Sequence, residues 1–381
     1  MPKKSSQGKA GSKSNSGPLY RFVSTFWKKL WCGSAWRKSV VVLAVILSTF
    51  TGATYAVAQW YIHKHKNQPL VLGTTFISDY AASFGLDPHQ TLDAILGDLH
   101  MKQVRLVGYW STIEKTPGTY DFSDLDWQFA MANHYGAKVS LAIGLRQPRW
   151  PECHVPDWAA SEPKSIWQPQ LNKFIASVVN RYKDNPALGD YELENEFFLS
   201  VFGECKDFDR QRLVSEFKMV KQLDPDHHLI VSRSDNWIGI PVGQPTPDEF
   251  AISVYKRVWD ATFTHRYFEY PLPSWFYASL AGYEEMLSGK DMIIHELQAE
   301  PWTPNGLLIT QISVSEQFKS MSPQRMKTRI SYGEATGMRT IDLWGAEWWY
   351  WLKVTKGDPS VWNVVRQAIA DANTQHQKLA K

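Results

Sequence analysis

The chain has 381 residues, 44% of them hydrophobic and 21% charged, with 18 Trp and three Cys. That is a globular composition, which excludes a disordered chain, a collagen-like chain and a disulfide-built miniature scaffold. The net charge of +3 hides an asymmetry: residues 1–78 carry eleven Lys/Arg and no acid, whereas residues 79–381 carry 30 bases and 38 acids.

The basic head comes first. Residues 1–18 are Lys, Ser and Gly without an apolar anchor, which predicts a disordered basic tail. Residues 19–39 mix Tyr20, Phe22, Phe26, Trp27, Trp31 and Trp36 with five bases, a composition suited to a juxtamembrane segment in a bilayer interface. Residues 40–62 contain no charge, open VVVLAVIL and close with Trp60 and Tyr61. This length predicts one transmembrane helix across about 30 Å of hydrocarbon. Nine bases precede it and only Lys64 and Lys66 follow closely, so the positive-inside rule puts the N-terminus in the cytoplasm and the body outside. Ala56-Val57-Ala58 also resembles a signal-peptidase site, and a secreted body cleaved near Ala58 stands as the alternative. A spanning segment directly behind the bases argues against nucleic acid as their partner.

Residues 68–381 read as a single domain of alternating strands and helices. The β-rich runs are 70–77, 103–110, 138–144, 190–196, 228–235, 250–256, 292–297 and 340–344. Asp87-Pro88 opens a helix, Asp124 opens another that stops at Gly136, and further helices are predicted over 166–183, 208–223, 274–287, 323–335 and 360–375. No convincing helix follows the fifth strand. Eight strand–helix units without an internal linker predict an α/β fold, a (β/α)8 TIM barrel behind a single N-terminal transmembrane helix. A doubly wound sheet is the runner-up, but no Gly-x-Gly-x-x-Gly or Walker loop follows any strand.

Barrel strands are buried on both faces, so carboxylates at their C-terminal ends have no routine structural use. The fourth run ends YELENEFF, with Glu192, Glu194, Asn195 and Glu196, and the seventh ends HELQAEPW, with His295, Glu296 and Glu300. Those two strands face each other across a closed barrel, which lets Glu196 and Glu296 converge. Two carboxylates flanking a sugar are what glycosidic hydrolysis needs. Strict alternation, however, sets Asn195 on the opposite face from Glu192, Glu194 and Glu196. Asn195 and Glu196 share the cavity only if the strand bulges or turns there.

On these residues the body resembles the retaining β-glycosidases of glycoside hydrolase clan A, such as family 5 and its relatives in families 39 and 42. The resemblance implies that Glu196 is the acid/base, Asn195 a ligand of the sugar 2-hydroxyl and Glu296 the nucleophile. It further implies that Arg105 keeps Glu296 ionised, that Tyr255 partners Glu296 and that Trp344 floors the sugar site. The passage WSTIEKTPGTYDFSDLDW (110–127) is similar to the clan's second strand-to-helix connection. Phe197, where family 5 has Pro, and Ser253, where a His often stands, depart from the pattern. The substrate so implied is a β-linked oligo- or polysaccharide. The alternative is a carbohydrate-binding barrel that does no chemistry.

Nine of the fourteen body Trp fall at or after predicted strand ends, a bias that suits sugar stacking and brings Trp150 and Trp348 into the candidate binding set. No metal or cofactor is expected: HELQAE lacks the second His of a zinc-protease motif, and His63, His65, His227 and His228 read as solvated. Cys153 and Cys205 follow adjacent strands and can pair as a disulfide outside the cell, with two free thiols as the other reading.

Overall fold

In a computed structural model of the chain, residues 25, 35–234 and 243–379 are described. Asp235, Trp237, the tail 1–18 and residues 19–34 of the juxtamembrane segment, apart from Thr25, lie outside them. Eight parallel strands close into a barrel. In chain order they are β1 Val71–Thr75, β2 Gln103–Val107, β3 Lys138–Ile143, β4 Leu188–Leu193, β5 His228–Arg233 and β6 Glu249–Val254. Then come β7 Arg257–Asp260 and β8 Arg266–Glu269, which pair as an antiparallel hairpin outside the barrel, before β9 Met292–Gln298 and β10 Thr340–Trp344 complete it. The architecture is a (β/α)8 barrel; the ring β1-β10-β9-β6-β5-β4-β3-β2 excludes an open doubly wound sheet.

Period-two alternation decides what each strand face does. Val104, Leu106, Val139, Leu141, Tyr191 and Leu193 join the main apolar cluster beneath the helices. Their neighbours Arg105, Ser140 and Glu192 are equally buried but polar, and turn into the barrel. Inside, Ile230, Ala251 and Ile293 form a small apolar plug. The register of β9 against β6 skips from Ile294 to Glu296, so His295 is an extra residue there and both it and Glu296 can turn inward.

The helix signals act as local chemistry requires. Asp87 caps the helix Pro88–Asp93 by accepting from the Gln90 N–H at 3.1 Å. Gly136 ends Ser123–Tyr135 in the left-handed conformation, φ 61°. That helix starts one residue before Asp124, whose carboxylate instead accepts from Trp127 and Gln128. Between β5 and β6 no helix occurs among the described residues. The β7–β8 hairpin, by contrast, has no counterpart in the sequence reading. Its turn is organised by Asp260, whose carboxylate accepts from the backbone N–H of Thr262, Phe263 and Thr264.

The apolar N-terminal helix, Ala35–His65, is long and apolar enough to cross a membrane. The described residues up to Ala56 and those from Val57 onward form separate compact units, and the end of the helix belongs with the barrel. Tyr61 is not a free interfacial aromatic: it is fully buried and its hydroxyl donates to Asp291 at 2.6 Å. Nor is His65 solvated, since its Nε2 lies 3.0 Å from Glu285, which also pairs with Lys64. His227 likewise has a partner, Asp224, at 2.8 Å.

Candidate active site

The end of β4 resolves the conflict between alternation and chemistry. Beyond Leu193 the backbone twists through positive φ at Glu194 (64°) and again at Glu196 (44°). Two non-glycine residues in that region within three positions are costly, and such strain concentrates where function needs it. The first twist sends Glu194 away from the cavity. There its carboxylate accepts from the N–H of Leu145 and Arg146, at 2.5 and 3.0 Å, and from Arg212 at 2.8 Å. Glu194 is thus a strut between loop and helix. Asn195 and Glu196 both line the cleft.

Opposite stands Glu296 on β9. Arg105 Nη1 donates to its Oε1 at 2.8 Å, and the Tyr255 hydroxyl donates to its Oε2 at 2.7 Å. Arg105 also grips Glu192, with Nε donating at 2.7 Å, and reaches Asn195 Oδ1 at 3.0 Å. One guanidinium therefore ties β2 to β4 and β9 through the barrel interior, a use for which its planar fork is suited. Among the described residues the Glu196 carboxylate receives a hydroxyl: Ser253 Oγ donates to Oε1 at 2.6 Å.

The electrostatics of two buried acids, Glu196 and Glu192, diverge. Burial, then the nearby charges of Glu296 and Glu152, push the Glu196 carboxyl well above the usual carboxylate range. Glu192 goes the other way: burial opposes its ionisation, but Arg105 and His295 outweigh that and draw it down to about 2. His295 Nδ1 lies 3.4 Å from Glu192, and this partner raises the imidazole despite burial. Glu152, whose Oε2 accepts from Asn195 at 3.3 Å, is pushed by burial up to about 7.

Glu152, Asn195, Glu196, Tyr255 and Glu296 border a cleft of about 940 Å³ at the C-terminal ends of the strands. Trp344 borders it with its Nε1 donating to Glu300 at 2.9 Å, and the Arg149 guanidinium lies 4.6 Å from the Trp344 ring and 3.2 Å from that of Tyr80. Trp150 sits on the rim, 57% exposed. Trp348 does not reach the cleft. It lies in the helix Ala346–Thr355, fully buried, with Nε1 donating to Gln317 at 2.7 Å. A helical Trp just past the strand faces the barrel wall, so this ring is core.

Sequence reasoning missed Tyr80, Arg149 and Glu152 as lining residues. Arg149 and Glu152 also have positive φ, 79° and 72°, a loop geometry with no signature in residue type.

Cys153 and Cys205 are joined, tying the loop after β3 to that after β4 across a separation of 52 residues. By loop-closure entropy this restrains the unfolded chain by up to about 4 kcal/mol. Reduction, or Cys153→Ser with Cys205→Ser, is therefore expected to lower Tm. Equal melting with and without reductant would contradict a stabilising link.

The buried acids also set a pH dependence. Burial raises Asp342, Glu152 and Glu347 to about 7 each, so each contributes stability below the ordinary carboxylate range that is lost as pH rises through about 7. Glu192 has the opposite sign, its contribution fading only as pH falls toward about 2. Tm is thus expected to fall by at least ~3 °C between pH 5.5 and pH 8. A flat or rising Tm across that interval would contradict the assignment.

No protein-family profile matches the chain, and no curated protein matches it. Solved structures do. A GH5_18 protein from Bifidobacterium longum subsp. longum ATCC 55813, a variant in complex with Manb1-4GlcNAc, superposes with a TM-score of 0.51 at 11% identity, covering 72% of this chain and 68% of that one. Xylanase 10B from Thermotoga petrophila RKU-1, in complex with xylobiose, gives 0.50 at 14% identity, covering 81% and 97%. These likenesses establish the barrel fold. A beta-galactosidase from the Antarctic haloarchaeon Halorubrum lacusprofundi gives 0.49 at 13% identity over 72% of this chain, which spans about half, 52%, of that protein.

Proposed function

We propose that the barrel is a retaining glycoside hydrolase acting on a β-linked glycan through Glu196 and Glu296. The observation that carries this reading is the unequal environment of two carboxyls on one cleft. Glu196 is buried, its carboxyl raised, and Ser253 holds one of its oxygens. Glu296 has one oxygen on Arg105 and the other on Tyr255, which fixes its orientation as an attacking group needs.

In the first step a Glu296 oxygen attacks the anomeric carbon while protonated Glu196 gives its proton to the departing glycosidic oxygen. This leaves a glycosyl ester on Glu296, a free aglycone alcohol and ionised Glu196. In the second step Glu196 takes a proton from water as that water's oxygen displaces Glu296, restoring both groups. Arg105 and Tyr255 receive the carboxylate as it is released. Asn195, held between Arg105 and Glu152, presents its amide beside Glu196 for a sugar hydroxyl. Trp344 offers a ring face for stacking, and Trp150 another at the rim. Two of the fold neighbours quoted above hold saccharides, Manb1-4GlcNAc and xylobiose, in keeping with a carbohydrate substrate.

The helix Ala35–His65 is proposed as a membrane anchor, with the barrel outside the cell. An unbroken helix through Ala58, continuing into residues buried against the barrel, supports anchoring over cleavage near Ala58. An antibody to the barrel should then find the full-length chain in the carbonate-washed membrane fraction. A soluble, shortened chain would contradict it.

The function is tested by offering the full chain a panel of aryl β-glycosides and following the anomer released by proton NMR. Turnover with the β-anomer formed first supports the reading. Turnover with inversion overturns the double displacement, and glycan binding without any turnover would make the barrel a binding module.

A further inference from the structure

We propose that the glycan taken by this cleft carries an apolar aglycone, an alkyl or acyl chain seated on a wall formed by the β7–β8 hairpin and the loop after β9. The inference rests on the glycosidase reading and names the part of the substrate that the leaving side accepts.

The cleft is two-sided. Tyr80, Arg149, Glu300 and Trp344, from the ends of β1, β3, β9 and β10, line it with rings, charge and hydrogen-bonding groups. Val258, Phe263, Phe268, Leu307 and Leu308 line it with hydrocarbon, joined by Val201 and Phe202 after β4. Several of these apolar side chains are open to water: Phe263 is 86% exposed, Val201 71% and Leu308 63%. Isolated exposed apolar residues are ordinary, but a set from three separate segments bordering one cavity marks a binding surface. The two main segments form one wall, because Trp259 Nε1 of the hairpin donates to Asn305 Oδ1 of the loop at 3.2 Å. Tyr267 pins the other hairpin strand by donating to Glu316 at 3.1 Å.

The position of this wall gives its role. A leaving group departs on the side of the acid, Glu196. That residue lies three positions beyond β4 and accepts from Ser253 of β6, and the hairpin begins three residues after β6 ends. The hydrocarbon wall therefore continues from the acid's side of the cleft, while the polar side is left for the glycone. At about 940 Å³ the cavity lies near the top of the usual range of about 300–1,000 Å³, with room for both parts. A sugar on the leaving side would instead need free hydrogen-bonding groups there; the same segments also bring Asp260, Thr262, Thr264 and Thr303 to the cleft, but the Asp260 carboxylate is taken up by the N–H groups of Thr262, Phe263 and Thr264 and by the Thr264 hydroxyl.

The test uses the full chain in phosphatidylcholine nanodiscs, with methyl, butyl and hexyl β-glycosides of the sugar that an aryl panel selects. Each methylene taken from water is worth about fourfold, so kcat/KM is expected to rise at least tenfold from methyl to hexyl. Phe263→Ser with Leu308→Ser should flatten that rise. Equal kcat/KM along the series overturns the proposal while leaving the glycosidase reading intact. A rise that persists unchanged in the double variant places the gain in the bilayer and overturns it too. If no aryl glycoside turns over, the glycosidase reading falls by itself. Trp fluorescence titrated with methyl and hexyl β-glucoside then decides the aglycone: tenfold tighter hexyl binding, lost in the double variant, upholds it, and equal binding overturns it.

Discussion

Glu296→Gln is expected to lower kcat on aryl β-glycosides by more than ~10⁴-fold with the fold intact, because a neutral amide cannot form the glycosyl ester. Glu196→Gln should behave differently. It removes the proton donor, which costs about 10²–10⁴-fold for an alkyl leaving group. For 2,4-dinitrophenyl glycosides, whose phenolate leaves without protonation, bond cleavage should be nearly normal and the loss should move to the water step. The pH profile gives a second readout. With the raised Glu196 carboxyl as the proposed acid, the wild-type rate is expected to fall as pH rises through its titration. That alkaline limb should vanish in Glu196→Gln measured with the dinitrophenyl substrate. Equal losses for both leaving groups, with the limb retained, would contradict the assignment of acid and nucleophile.

Arg105→Met is expected to damage stability and activity together. The guanidinium is wholly buried and serves Glu192, Glu296 and Asn195 at once. Removing it leaves Glu192 and Glu296 buried without their shared cation, a change worth about 3–5 kcal/mol. For a barrel of this size that is roughly a 6–15 °C drop in Tm. The sign of the pH dependence follows from Glu192. Its depressed value means that the pair contributes stability above the ordinary carboxylate range, and that this contribution is lost as pH falls toward about 2. The deficit of Arg105→Met should therefore be largest near neutrality and shrink on acidification, where the orphaned carboxyls take up protons. Arg105→Lys keeps the charge without the fork and should recover part of the stability but little kcat. A melting temperature unchanged from wild type at pH 7 would contradict the central place given to this residue.

The barrel was legible because its strands are buried on both faces and write themselves as short β-rich runs between helix caps. The runs around Lys138, His228 and Met292 start where the strands start, and Thr340–Trp344 agrees at both ends. The first six barrel strands were read too long at the cleft end, because residues such as 194–196 keep strand-like composition after the ladder stops at Leu193. The β7–β8 hairpin was not legible: its aromatic residues look like the tail of a barrel strand, and only the Asp260 turn distinguishes it. Within the site, acids at the ends of β4 and β9 are visible in composition alone. What turns Asn195 and Glu196 into the same cavity is a pair of positive φ angles, which residue type does not announce. Trp348 shows the converse: proximity to a strand end suggested a sugar platform, whereas helical geometry turns the ring into the core. His65 and Tyr61 were read as solvent- or membrane-facing because their acidic partners lie more than 200 residues away in the chain.

The most direct measurement is to trap the covalent intermediate. The full chain is incubated with a 2-deoxy-2-fluoro glycoside bearing a dinitrophenolate leaving group, in the sugar configuration that the panel selects. The fluorine destabilises the positive charge of both transition states, while the activated leaving group restores the first step alone. The account predicts a mass increase of one fluoroglycosyl unit, mapped by peptide sequencing to Glu296 and absent from Glu296→Gln. A label on another residue, or active hydrolysis of the parent glycoside with no trapped adduct, would contradict it.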